Sequence, residues 1–251
     1  MKCSINYVLI GERDGVLLDT SIRSVRKHCN YDINIFVDEH VSTSTIESLL
    51  VSNKNIDIIK FNRLNYPTRE ENRNSSLFRL VALREASKKY DISLYLDNDI
   101  VVVHKGFFEG FKISNHYGFC MVQNPRTFIT TFENDMGDVD IGWDVLPYDH
   151  AYLSDMPRYM ASYNMGVMFY NRQHYSSFFL GDLIQEQASN PSRGQAGLYR
   201  TMWKHKFSPY NLPVNWLVCR KHVGIQRPLS LHLGHEPVKE WWEKDFKNEE
   251  K

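Results

Sequence analysis

Along the first hundred residues, short apolar runs alternate with longer stretches of helical spacing. The runs are Ile5–Ile10 (INYVLI), Ile33–Val37 (INIFV), Ile56–Phe61 (IDIIKF) and Ile92–Leu96 (ISLYL). Their length and their bounding polar residues predict four strands. Between them, Val16–Cys29 puts Leu18, Ile22 and Val25 on one helical face. Thr45–Leu50 predicts a short helix with Ser44 or Thr43 as its N-cap. Leu77–Tyr90 predicts another, with Leu77, Leu80, Val81 and Leu83 facing inward and Ser75 or Ser76 as cap. Residues 62–75 are polar, contain Pro67 and predict a loop. This order predicts an α/β fold, a mostly parallel central sheet flanked by helices on both faces. Ligands of such sheets bind beyond the carboxyl ends of the strands. The fourth strand ends there in Asp97-Asn98-Asp99.

The second half is less regular. Thr127–Pro157 has no Lys or Arg but seven acids, and with Gly137 and Gly142 it reads as a long loop. Gln187–His235 is the reverse: no acid, seven Lys and Arg, and interleaved Tyr199, Trp203, Phe207, Tyr210 and Trp216. The formal net charge of +0 therefore hides a polarised chain. Such a basic, aromatic stretch suits a polyanionic partner, either a phosphorylated glycan or a nucleic acid, and equally reads as a set of solvated surface cations. With no linker visible, residues 1–251 read as one domain with two lobes, residues 1–104 and residues 105–251.

With 42% hydrophobic and 24% charged residues, the composition is that of a soluble globular protein. The four cysteines, Cys3, Cys29, Cys120 and Cys219, form no C-x-x-C pair, which points away from a zinc knuckle or disulfide framework and toward a reducing compartment. No apolar run reaches the ~20 residues of a membrane span. The expected location is the cytoplasm.

Two carboxylates one residue apart at a strand end can reach one hard cation, and magnesium or manganese bound so can bridge to substrate phosphates. The same tripeptide also suits a polar turn. Asp138-Val139-Asp140 repeats the spacing, but no apolar strand precedes it.

The segment Leu77–Val102, LFRLVALREASKKYDISLYLDNDIVV, resembles the approach to the D-x-D motif of GT-A fold glycosyltransferases, in particular the family of glycogenin and bacterial lipooligosaccharide galactosyltransferases. The resemblance continues in order. YNMGVMFYN (Tyr163–Asn171) is similar to the family's F-N-[AS]-G-V-[ML] segment, RGQAGLYRTMW (Arg193–Trp203) to its D-Q helix start, and LHLGHEPVKEWW (Leu231–Trp242) to its C-terminal H-[FY]-x-G-x-x-K-P-W motif. It implies the GT-A fold, a UDP-sugar donor and Mn²⁺ or Mg²⁺ held by Asp97, Asp99 and His232, with His235 as the alternative imidazole. Arg79 is then the cation that faces phosphate or holds an acid, and Lys239 a further diphosphate contact. Asn164 and Gln195 orient the sugar, and Gly166 and Gly234 permit close approach. Asn98, and Leu9 and Gly11 at the end of the first strand, border the nucleotide.

The chain departs from the family at Gly194, where an acid is usual, and at the strand end Leu9-Ile10-Gly11, where a polar Asp or Thr is usual; the spacing after His232 is one residue shorter. The resemblance implies retention of anomeric configuration. An inverting reaction would need a base, for which Asp144, Asp149 and Asp155 are candidates. Two other readings are a nucleotidyltransferase, against which GERDG (Gly11–Gly15) is poor in Gly and Lys, and a non-catalytic nucleotide-sugar-binding protein.

Overall fold

The computed structural model describes residues 1–11, 15–53, 55–62, 74–127, 161–174, 177–189, 195–219, 225–234 and 236–246. The four apolar runs of the first half are strands: β1 (Cys3–Leu9), β2 (Asp32–Val37), β3 (Ile56–Lys60) and β4 (Ile92–Leu96). They pair in parallel in the order β3-β2-β1-β4, and β1 and β4 are buried along their whole length. Burial on both faces is why β1, β2 and β4 read as near-continuous apolar runs rather than alternating ones, while β3 at the sheet edge is largely exposed.

The sheet continues through β7 (Ala161–Asn171), β6 (Phe119–Thr127) and β8 (Tyr210–Leu212), giving seven strands in the order β3-β2-β1-β4-β7-β6-β8. β7 runs antiparallel to both neighbours, β4 and β6, so the sheet is parallel except for this one strand. A separate two-stranded ribbon joins β5 (Ile100–Val102), just beyond the acidic tripeptide, to β9 (Ser230–His232).

Helices cover both faces. On one, α1 (Gly15–Arg26) buries Leu18, Ile22 and Val25 against Ile5, Tyr7 and Leu9 of β1 and Ile33 and Ile35 of β2, joined by Leu49 of α2 (Thr43–Ser52) and Phe111 of α4 (Gly110–Tyr117). The other face is covered by α3 (Asn74–Ser87), α5 (Ser177–Ser189) and α6 (Gln195–Lys204). From Leu77 onward α3 is enclosed almost all round, since it lies between the sheet and α5. A last helix, α7 (Glu236–Asp245), closes a small cluster through Val238 and Trp242.

Two expected helix caps are corrected. The N-cap of α2 is Ser42, whose hydroxyl accepts from the Thr45 backbone N–H at 3.1 Å; Thr43 and Ser44 are already helical. α3 begins at Asn74, so Ser75 and Ser76 lie inside it. In both cases several small polar residues stand in a row, and each is chemically able to cap.

Serines on the buried side of α1 fasten the ribbon. Ser21 donates to the Ile100 carbonyl, and Ser24 accepts from the Val102 N–H at 2.9 Å. The chain just past Asp99 is thereby held from one side by α1 and from the other by β9.

Candidate metal and donor site

β4 ends at Leu96, and the chain turns at once: the Ile100 N–H donates to the Asp97 carbonyl at 3.1 Å. The turn is tied to β1 by the Asn98 amide, which donates to the Val8 carbonyl at 2.8 Å. Antiparallel pairing sets Leu96 beside Val167, so that Asp97 N–H reaches the Gly166 carbonyl at 2.9 Å.

Asp97 is buried, with Oδ1 engaged twice. The Tyr95 hydroxyl donates to it at 2.7 Å, and Arg79 Nε from α3 lies 3.1 Å away. Burial, the adjoining acids and the hydrogen bond raise the Tyr95 phenol well above its usual pKa despite the opposing Arg79 charge, so it remains a proton donor to Asp97. The Asp97 Oδ2 faces Gly166, where a Cβ would meet it at 2.9 Å.

Asp99 reaches the third candidate ligand through the ribbon. Pairing of Ile100 with His232 brings His232 Nε2 to 3.1 Å from Asp99 Oδ2, and the Leu233 N–H donates to the Asp99 carbonyl at 2.7 Å. Gly234 leaves room for this acid, for a Cβ there would stand 2.4 Å from Asp99 Oδ2. Burial works against both charged forms, but the two groups stabilise each other. The Asp99 carboxyl is held below its usual pKa by the His232 charge and hydrogen bond, with a contribution from Arg79. The His232 imidazole is held well above its usual value by the Asp99 charge and hydrogen bond, with Cys219 assisting.

Asp97, Asp99 and His232 each offer one ligand atom, and the three atoms lie within 4.8 Å of one another. Two carboxylates and an imidazole form an oxygen-rich donor set that fits a divalent cation and leaves coordination positions for substrate oxygens and water. Among the described residues this is the one cluster of its kind.

The other expected residues are placed in different ways. Asn164 is engaged internally: its Oδ1 accepts from the Gly166 N–H at 2.7 Å and its Nδ2 donates to Cys219 Sγ at 3.7 Å. Leu9 is fully buried, so it can offer only its backbone to a ligand. Gly11 has φ +60°, a conformation that favours glycine, and its N–H donates to Asp38 Oδ1 at 3.0 Å. Gln195 is the first residue of α6. Lys239 lies on α7 with its ammonium 3.7 Å from Glu236. His235, Gly194 and the acids Asp144, Asp149 and Asp155 lie outside the described residues, as do Arg193, Arg220 and Lys221 of the basic stretch. Lys204 of that stretch pairs with Glu186 at 3.0 Å. A continuous cationic face for a nucleic-acid acceptor finds no support here.

Three residues at the site were missed by sequence reasoning. Tyr95 carried a usable signal, since a residue two before Asp97 on the same strand shares its face. Asp38, buried at the end of β2, accepts from the Gly11 and His40 backbone and fixes the turn after β1. It had the same strand-end position as Asp97, but the acid beside it is the adjacent Glu39, and His40 stands where a D-x-D pair would put the second acid. Cys219, 13 residues before His232 and 55 after Asn164, had no signal at all.

The chain has a GT-A-like fold, a mixed α/β sheet of seven strands flanked by helices. Among solved structures it is similar to the bifunctional glycosyltransferase WbbM in its apo form, with a TM-score of 0.65 and 15% identity over 94% of this chain and 46% of that one. The chain thus spans about half the length of WbbM. It is similar to apo mouse xyloside xylosyltransferase 1 (TM-score 0.58, 12% identity, 92% and 97% of the two chains). It is also similar to the galactosyltransferase LgtC solved with donor and acceptor sugar analogues (TM-score 0.61, 12% identity, 91% and 86%). No protein-family model matches the sequence, and no curated protein matches it. No helix among the described residues is long and apolar enough to cross a membrane.

Proposed function

We propose that this chain is a divalent-metal-dependent glycosyltransferase that moves a sugar from a UDP-sugar to a glycan acceptor with retention of configuration. The observation that carries the reading is the convergence of Asp97, Asp99 and His232, with ligand atoms within 4.8 Å, at the carboxyl end of β4 in a GT-A sheet. The three similar structures named above, all glycosyltransferases, agree with it.

In this reading residues 1–104 bind the nucleotide and residues 105–251 the sugar and acceptor, within one domain. Asp97, Asp99 and His232 hold Mn²⁺ or Mg²⁺, which when bound supplies positive charge to the leaving diphosphate. Arg79 acts by holding the Asp97 carboxylate, with Tyr95, so that Oδ2 is presented to the ion. Asn98 and Gly11 keep the two strand ends in place beside the nucleotide. Lys239 is a further diphosphate contact, and Gln195 at the start of α6, with Asn164, orients the sugar. Groups fixed in advance around developing charge supply what is usually the largest share of catalysis.

The test is a thermal-shift screen of nucleotide sugars with and without Mn²⁺, because a ligand of the folded state raises the melting temperature. A manganese-dependent shift with a UDP-sugar, abolished by Asp99→Ala, is expected. A shift unchanged in that variant would place the metal elsewhere. Metal-dependent UDP release then separates transfer or slow donor hydrolysis from the pyrophosphate release of a nucleotidyltransferase, and binding without either release marks a binding protein.

A further inference from the structure

Cys219 stands in a place that the proposed reaction does not require of any cysteine. Its chain neighbour Val218 is bridged to Leu231 of β9, and His232 N–H donates to the Val218 carbonyl at 3.0 Å. This backbone pairing carries the sulfur to His232 Nδ1, at 3.7 Å, and to Asn164 Nδ2, also at 3.7 Å. Both are within the reach of sulfur hydrogen bonds.

Traced onward, the contacts form a closed circuit. From Cys219 one arm runs through His232 Nε2 to Asp99 Oδ2 at 3.1 Å. The other runs through Asn164 to the Gly166 N–H at 2.7 Å, and from the Gly166 carbonyl to the Asp97 N–H at 2.9 Å. The circuit closes through the turn between Asp97 and Asp99. β7 holds the first acid, β9 holds the second, and these strands belong to different sheets. Cys219 joins the two arms.

We propose that Cys219 is a positioning residue that couples the His232–Asp99 arm of the metal site to the Asn164–Gly166–Asp97 arm; this rests on the metal-site reading above. The chemistry follows from the ring geometry. Which imidazole nitrogen meets a metal is set by the bond that the other nitrogen makes. With Nδ1 facing the sulfur and Nε2 facing the acids, an ion at Nε2 leaves the ring proton on Nδ1, where Sγ accepts it. The same sulfur accepts from the Asn164 amide. That amide is thereby kept with its oxygen toward Gly166, and the Gly166 backbone stays against Asp97.

The test compares Cys219→Ala, Cys219→Ser and Asp99→Ala in the full chain, reading Mn²⁺ affinity by titration calorimetry and, separately, metal-free thermal unfolding. Loss of an outer-shell partner weakens metal binding by about 10- to 100-fold. Cys219→Ala is expected to weaken Mn²⁺ by at least about 10-fold with its metal-free unfolding transition intact. Cys219→Ser, which keeps a hydrogen-bonding atom, is expected to recover most of that loss. Three results would overturn the coupling: wild-type affinity in Cys219→Ala while Asp99→Ala abolishes binding; equal weakening in Ser and Ala, which would assign the effect to sulfur volume; or weakening only in step with a lower metal-free melting temperature. Wild-type affinity in Asp99→Ala would instead remove the metal site, and the coupling with it.

Discussion

Gly234→Ala separates the site from the fold. The added Cβ would stand 2.4 Å from Asp99 Oδ2 and 3.5 Å from His232 Nε2. An ordinary carbon–oxygen separation is roughly 3.4 Å or more, so the carboxylate oxygen must move by about 1 Å. The Asp99 side chain is about a quarter exposed and ends in a rotatable carboxylate, so it has somewhere to go. The backbone at Gly234 is outside the left-handed region, so alanine adds no φ strain, and the smaller entropy of the unfolded chain favours the variant by about 0.4–1 kcal/mol. Against this stands the crowding itself, of order 1 kcal/mol for a group that can swing aside. Moving Oδ2 also loosens its 3.1 Å contact with His232 Nε2, so metal-free stability should fall, by no more than about 2 kcal/mol. The metal site should not escape so lightly, since displacing a reacting or coordinating group by ~1 Å can cost on the order of 100-fold. The assay is Mn²⁺ titration calorimetry alongside thermal unfolding, with Gly181→Ala as the control. Gly181 is on α5 with nothing within 4 Å of its would-be Cβ, so that variant should gain stability by up to about 1 kcal/mol and bind Mn²⁺ normally. Wild-type Mn²⁺ affinity in Gly234→Ala would refute the assignment of Asp99 Oδ2 as a ligand.

Three further outcomes follow from the electrostatics and hydrogen bonds of the site. His232 is held protonated well above its usual range, and an ion at Nε2 must displace that proton; Mn²⁺ affinity should rise with pH and about one proton should leave per ion, measurable by calorimetry in buffers of different ionisation enthalpy. In the metal-free protein the raised His232 contributes stability in full below its unfolded value of about 6.5 and loses it as pH rises through the folded value. The depressed Asp99 contributes above about 3.9 and loses it as pH falls. The stability difference between wild type and His232→Gln should thus be largest between roughly pH 4 and 6.5, and a difference that grows above pH 8 would contradict this. Tyr95→Phe removes a buried donor to the Asp97 carboxylate and should cost about 1.5–3 kcal/mol in chemical denaturation; a loss under about 0.5 kcal/mol would show that Arg79 alone holds the acid.

The sequence alone determined the parallel half of the sheet and set two acids at the end of its fourth strand. Strands buried on both faces are mostly apolar, so β1, β2 and β4 were legible as runs, and Asp97 and Asp99 were legible as an abrupt change to charge at the end of β4. What lay beyond local pattern was which strand lies beside which. β7 reads as an ordinary apolar strand, and nothing in it reveals that it runs antiparallel between β4 and β6 and lays Gly166 on Asp97. Arg79 could be placed on its helix, but only packing of α3 against the sheet decided that it pairs with Asp97 rather than with solvent. Asp99 and His232 are 133 residues apart, and pairing of β5 with β9 brings them together. Cys219 has no meaning until that ribbon forms. Periodicity records which side of an element meets the core, whereas contacts across such separations exist only after the chain has closed on itself.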